Sequence, residues 1–140
     1  MRLVKIFNCG KVINENLYLR LKILDARVFF GCNNEFKKNR DWWVIVDDNN
    51  IIAYCGCLYS QKICIFVRAW VYKEYRGLGI QKRMIKARIK YAKKICTTVI
   101  TYTSTNNIIS ANNLLKNGFL LYNPMYKYSG SDVLYFKKDL

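Results

Sequence analysis

Histidine is absent from this 140-residue sequence, proline occurs once, and Asp plus Glu number nine against 24 Lys plus Arg. Each shortage excludes something. Without histidine a zinc site would need four thiolates or carboxylates, and of the six cysteines only Cys55-x-Cys57 is closely spaced, which disfavours zinc. One Pro and seven Gly leave no room for a linker of the usual composition, and there is no internal repeat or low-complexity tract. Residues 1–140 are therefore expected to form a single domain. No apolar run approaches the roughly 20 residues that span a bilayer. The start, Met1-Arg2-Leu3-Val4-Lys5-Ile6-Phe7, alternates like a strand and breaks at Asn8-Cys9-Gly10, too short for a signal-peptide core. A soluble, cytoplasmic protein without a membrane partner is expected.

What is present points to a packed enzyme-sized domain. Hydrophobic residues make up 52% of the chain, ample for a core. Cys55, Cys57 and Cys64 lie inside apolar strand-like runs and Cys96 ends an apolar helix stripe, the placement of small core residues in a reducing compartment. The net charge is +15. Surface solvation is one explanation; the other is an anionic partner, with coenzyme A, nucleic acid and an acidic protein as the candidates.

Periodicity sets the order of elements. Residues 2–7 read as a strand. A helix follows, with Asn14 or Asn16 as N-cap, Leu17, Leu19, Leu21, Ile23, Leu24 and Val28 as apolar positions, and Gly31 as the stop. Segment 32–41 is polar, a loop or short helix. Strands over 42–46, 51–59 and 63–71, joined by turns at Asp47–Asn50 and Ser60–Lys62, form an antiparallel meander. A helix from about Ile80 to Cys96 carries Ile85, Ile89, Ala92 and Cys96 as its buried stripe and Lys82, Lys86, Lys90 and Lys93 on another face. A strand over 99–103, a helix from Asn107 to Asn117 stopped by Gly118, and strands over 119–122 and 133–137 complete an α/β sandwich.

The informative segment is Val71-Tyr72-Lys73-Glu74-Tyr75-Arg76-Gly77-Leu78-Gly79-Ile80-Gln81-Lys82. A strand enters a turn with two glycines and a long helix starts directly after it. Unpaired amides and the positive end of the dipole meet there, glycine lets a phosphate approach the main chain, and Lys82 and Arg83 add full charges. This is an anion site for phosphate groups. The spacing is neither that of a Walker A loop nor that of the dinucleotide GxGxxG motif.

The segment closely resembles the acyl-CoA motif Q/R-x-x-G-x-G/A of the GCN5-related N-acetyltransferases (GNAT), matched by Arg76, Gly77, Leu78, Gly79 and Ile80. Gln81 stands where Gly or Ala is usual, and its side chain could narrow the pyrophosphate pocket. Downstream, Asn107-Ile108-Ile109-Ser110-Ala111-Asn112-Asn113-Leu114-Leu115-Lys116-Asn117-Gly118-Phe119 is similar to that family's later helix-to-strand motif. The resemblance covers residues 42–122 well. It implies a mostly antiparallel GNAT-like central sheet flanked by helices, with acetyl-CoA or another acyl-CoA as co-substrate. The coenzyme would lie in a V-shaped opening between strands 63–71 and 99–103. Its pantetheine would pair with backbone at Ala69, Trp70 and Val71, and its pyrophosphate would rest on Arg76, Gly77, Leu78, Gly79, Ile80, Gln81 and Lys82, with Asn107 on the other side. A backbone N–H near Val71 would hold the oxyanion.

The chain also departs from that family. Residues 63–71 contain no Asp or Glu to act as general base, and Leu114 occupies the position of the usual acidic tyrosine. Tyr102, Ser110, Tyr122 and Tyr126 are the weak substitutes. An N-acetyltransferase acting on an amine of a macromolecule is expected. The alternatives are a protein of this fold that binds or modifies nucleic acid (a DNA base or tRNA) and a non-catalytic acyl-CoA-binding module. A basic run of Arg68, Lys73, Arg76, Lys82, Arg83, Lys86, Lys90, Lys93 and Lys94 is the feature behind the nucleic-acid alternative, while Trp42, Trp43 and Trp70 either stack on bases or, as the commoner role for such side chains, pack in the core. A polycationic acceptor fits a +15 protein poorly.

Overall fold

A computed structural model describes residues 1–29 and 39–140. The elements are β1 (Arg2–Asn8), β2 (Lys11–Val12), α1 (Glu15–Val28), β3 (Arg40–Asp47), β4 (Asn50–Ser60), β5 (Ile63–Val71), a 3-10 turn (Lys73–Tyr75), α2 (Ile80–Ala92), β6 (Thr98–Ser104), α3 (Ile108–Lys116), β7 (Leu120–Leu121) and β8 (Val133–Asp139). The sheet order is β2-β1-β3-β4-β5-β6-β8-β7. The fold is thus α/β with a mostly antiparallel sheet, as expected. The parallel β5–β6 pair matches Ile63, Cys64 and Ile65 with Thr98, Val99 and Ile100, joined through α2. The anticipated stop at Gly31 and most of segment 32–41 lie outside the described residues. No helix among the described residues is long and apolar enough to cross a membrane.

The chain divides into two compact units, Met1–Leu58 with Val67–Ile80, and Tyr59–Phe66 with Gln81–Leu140. In the first, Asn14 is the N-cap of α1, its side-chain oxygen accepting from Leu17 N–H at 3.0 Å. Four-residue spacing puts Leu17, Leu21 and Asp25 on the buried face. Leu19 and Ile23, apolar but off that spacing, are exposed. Leu17 and Leu21 join Ile6, Phe7, Trp42, Val44, Val46 and Tyr54 in one core cluster, with Val67 and Trp70 packed against it. The β3–β4 hairpin turns through Asp48 and Asn49, both at positive φ, the geometry whose twist suits a tight hairpin.

In the second unit Met84, Ile85, Arg88, Ala92 and Cys96 are buried along α2 and the segment after it, while Lys82, Lys86, Lys90 and Lys93 face solvent. The expected apolar stripe therefore includes an arginine. Arg88 is 2% exposed, lies 3.8 Å from the Phe66 ring centroid, and donates Nε–H to the Met84 carbonyl. Phe66 in turn packs on Phe119. α2 is shorter than expected, ending at Ala92. Asn107 caps α3, and Gly118 (φ +88) follows it in the left-handed conformation that a helix stop requires. Cys55, Cys57, Cys64 and Cys96 are buried and Cys9 is exposed, and none of these five is in a disulfide.

Gly56 on β4 faces the buried Trp42, and a Cβ there would stand 2.9 Å from the indole ring atoms Cε3 and Cζ3. Gly56→Ala should destabilise the fold by about 1–3 kcal/mol through overpacking. Urea unfolding followed by tryptophan fluorescence measures this, and an unchanged midpoint would show that the indole can shift freely.

Candidate functional site: the glycine turn and the start of α2

Gly77 and Gly79 adopt φ +80 and +78, and a Cβ built at either would meet nothing within 4 Å. Glycine is thus required by the backbone angle and not by crowding, and the space over the turn is open. α2 begins at Ile80, so the amides of its first turn have no intrahelical acceptor. Lys82 and Arg83 are exposed there. The turn is braced on its N-terminal side. Arg76 Nε donates to the Val71 carbonyl at 3.0 Å, and the Tyr75 hydroxyl donates to Asp47 at 3.0 Å. That bond to Asp47 pushes the Tyr75 pKa up.

Gln81, the departure from the usual motif, is engaged elsewhere. Its side-chain nitrogen donates to Ser110 Oγ at 3.1 Å, and its oxygen accepts from Asn113 Nδ2 at 2.8 Å. The side chain thus ties α2 to α3, and its backbone amide is the part an anion would use. Asn107 accepts from Ser110 N–H at 3.1 Å as the cap of α3. Leu114 is buried, and its carbonyl accepts from both Asn117 and Phe119 N–H groups. A tyrosine there would have to enter a packed core.

Of the four weak proton-handling candidates, two are brought into one cluster. Tyr122 and Tyr128 hydroxyls are 3.3 Å apart, and Tyr128 donates to the Thr101 carbonyl at 3.4 Å. The Tyr102 ring lies edge-on to Tyr128, and the rings of Tyr128 and Tyr135 are 4.9 Å apart. Ser110 is tied to Gln81, and Tyr126 is 79% exposed. The sequence reading missed Tyr128. Burial, then the Tyr122 hydroxyl, push its pKa up, so its proton is retained. The only sequence signal was the density of tyrosine over 122–135.

Four further residues are drawn into packing. Trp42 and Trp43 are core side chains, 0% and 5% exposed, and Trp70 packs against the same core. None of the three is an open platform for bases; core packing is the role they take. Arg68 is drawn onto the buried Asp25, Nε to Oδ1 at 3.2 Å, and leaves the run of surface cations. The first unit also contains a cleft of about 570 Å³ lined by Arg20, Ile23, Arg27, Ile51, Tyr72 and Tyr75, among others, with no carboxylate among the described residues of its lining.

A mixed sheet whose parallel pair is bridged by a helix entered through a left-handed glycine turn has the construction of a phosphate-binding α/β domain. The sequence model of the acetyltransferase (GNAT) family matches residues 12–119, and the chain belongs to that family. Solved structures agree on the fold. A GNAT-family acetyltransferase from Staphylococcus aureus is 15% identical with TM-score 0.71, covering 99% of this chain and 98% of that one. NAA60 from Arabidopsis thaliana, in complex with a bisubstrate analogue, has the same identity, coverage and score. PaiA N-acetyltransferase from Thermoplasma acidophilum, in complex with coenzyme A, is 16% identical with TM-score 0.66, covering 90% and 72%. No curated protein matches the sequence.

Replacing Gln81 by Ala removes two side-chain hydrogen bonds between α2 and α3. At about 0.5–1.5 kcal/mol net each, stability should fall by about 1–3 kcal/mol with the backbone of the turn intact. Chemical denaturation tests this; an unaltered stability would mean water replaces both bonds.

Proposed function

We propose that the chain is an acyl-CoA-dependent N-acetyltransferase that moves an acetyl group from acetyl-CoA to an amine on a macromolecule. One observation carries the reading: Gly77 and Gly79, both left-handed and open above, feed the unpaired amides of α2 within a chain of the GNAT family. The amides of residues 77–82 bind the pyrophosphate, helped by Lys82. Backbone groups of Ala69, Trp70 and Val71 align the pantetheine, and Asn107 adds a contact. The acceptor amine then attacks the thioester carbonyl: a C–N bond forms, the C–S bond breaks, and a backbone N–H near Val71 bears the charge that develops on oxygen. The amine's proton leaves through water, because strand 63–71 offers no carboxylate. The thiolate takes its proton from water.

The lining of the 570 Å³ cleft, with two guanidiniums, aliphatic side chains and tyrosines, suits an acceptor that is neutral or anionic around its amine. A polycation would be repelled. Gly79→Glu should abolish acetyl-CoA binding, since a carboxylate would project into the open space over the turn. Titration calorimetry on wild type and variant decides this. Equal affinities would remove the turn from the site.

One observation favours nucleic acid as the acceptor or its carrier. Lys82, Lys86, Lys90, Lys93 and Lys94 are exposed along α2 and the turn after it, and none forms an ion pair among the described residues. Coenzyme A needs only the first of them. Changing Lys86, Lys90 and Lys93 to Glu should weaken DNA or RNA oligomer binding and flatten its dependence on log salt, with acetyl-CoA affinity nearly constant. Fluorescence anisotropy between about 50 and 200 mM salt reads the slope. Binding indifferent to the three changes would leave a protein amine as the leading acceptor.

A further inference from the structure

The strand that feeds the glycine turn contains a residue in an unfavourable conformation. Arg68, in the middle of β5, has φ +47, a left-handed angle at a position that carries a long side chain. Alternation along a regular strand would send Arg68 the same way as Cys64 and Phe66. Those two are buried in the second unit, where Phe66 meets Phe119 and Arg88. Val67 and Trp70 instead pack on the core of the first unit, and Arg68 reaches Asp25 and Phe29 of that same unit. Adjacent residues turned the same way are the mark of a bulge, and here the bulge is centred on the left-handed residue. A non-glycine residue at such an angle persists only where its surroundings impose it.

The surroundings are specific. Asp25 is 4% exposed, and its Oδ1 accepts from Arg68 Nε at 3.2 Å and from the Tyr54 hydroxyl at 2.7 Å. Tyr54 is fully buried between Trp42 and Trp70, so its hydroxyl direction is fixed. The guanidinium lies 4.2 Å from the Phe29 ring centroid. Asp25 is itself on the buried stripe of α1, one turn after Leu21. A charged group in that stripe is costly unless paired, and its two donors provide the pairing. The side chain of Arg68 is thus held by Asp25 and by the Phe29 ring, with Tyr54 fixing Asp25 in turn, while its backbone is strained.

We propose that Arg68 is a positioning residue: Asp25 and Tyr54 hold it in the left-handed bulge, and the bulge sets the direction of the Ala69–Val71 backbone for the acyl-pantetheine arm. This rests on the acyl-CoA reading above, and adds to it that α1, through Asp25, controls the geometry of a strand it does not pair with. Neither Asp25 nor Tyr54 touches the coenzyme. The pyrophosphate turn at 76–82 is braced separately, by Tyr75–Asp47 and Arg76–Val71, so it should not depend on them.

The test uses two probes on the full chain: acetyl-CoA, and phospho-ADP, the coenzyme's nucleotide end without pantetheine. In Asp25→Asn the ionic hold is lost while the left-handed strain persists, and the bulge relaxes. Acetyl-CoA affinity should fall about tenfold, the consequence of a strain-sized penalty, with phospho-ADP affinity unchanged. Adding Arg68→Gly should restore most of the acetyl-CoA affinity, because glycine holds that angle without an anchor. Adding Arg68→Ala should not. If Asp25→Asn fails to fold, Arg68→Gly against Arg68→Ala gives the same comparison. Equal acetyl-CoA affinity in wild type and Asp25→Asn, or no advantage of Gly over Ala, overturns the positioning role while the acyl-CoA reading stands. A wild type that binds phospho-ADP and not acetyl-CoA overturns both. A lowered melting temperature with unchanged affinities would mean that Asp25 only holds the fold together.

Discussion

A single strand, β5, has to do two incompatible things. Its first half buries Cys64 and Phe66 in one packed unit, and its second half buries Val67 and Trp70 in another and then delivers the glycine turn. A regular strand has a fixed alternation and cannot change its set of neighbours midway. The left-handed Arg68 is where the alternation breaks. The ion pair with Asp25 is the interaction that makes this break tolerable, and the register of everything after it, through Val71 to α2, follows from that one residue.

The glycine turn needs less explanation and more openness. Its two positive φ angles are satisfied by residue type alone, with no neighbour pressing on either glycine. The bracing sits upstream, in the Tyr75–Asp47 bond and the Arg76 contact with Val71. A rigid base beneath unobstructed amides is what a preformed anion site requires, since little has to be ordered when the anion arrives. The charge on α2 then follows the helix in two classes. Lys82, Lys86, Lys90 and Lys93 project into solvent, and Arg88, at a core position, spends its charge against the Phe66 ring.

Local signals made much of this legible in advance. Asn14 and Asn107 announced their helices because a capping side chain acts within three residues, and Gly118 announced the stop of α3 because only the backbone angle there matters. The meander and the strand–turn–helix at 63–92 followed from apolar runs and turn chemistry. Residues whose role depends on distant partners were invisible. Asp25 drew no attention because its donors, Tyr54 and Arg68, are 29 and 43 positions away. The core position of Arg88 gave no local signal because Phe66 lies on another element. Gln81 looked like an obstruction, since nothing local reveals Ser110 and Asn113. Tyr128 was lost in a run of tyrosines, and the two-residue strand β2 is too short to show periodicity.

The placement of the thiols has a use of its own. Cys55 and Cys57 are sealed within one unit, Cys64 and Cys96 within the other, and Cys9 is exposed. A buried thiol reacts with an alkylating reagent only when the structure over it opens, so among the described residues there is a natural pair of reporters for each half and an accessible internal reference. Labelling rates at the two pairs would therefore read out whether the halves breathe as one cooperative body or as two, without a single engineered residue.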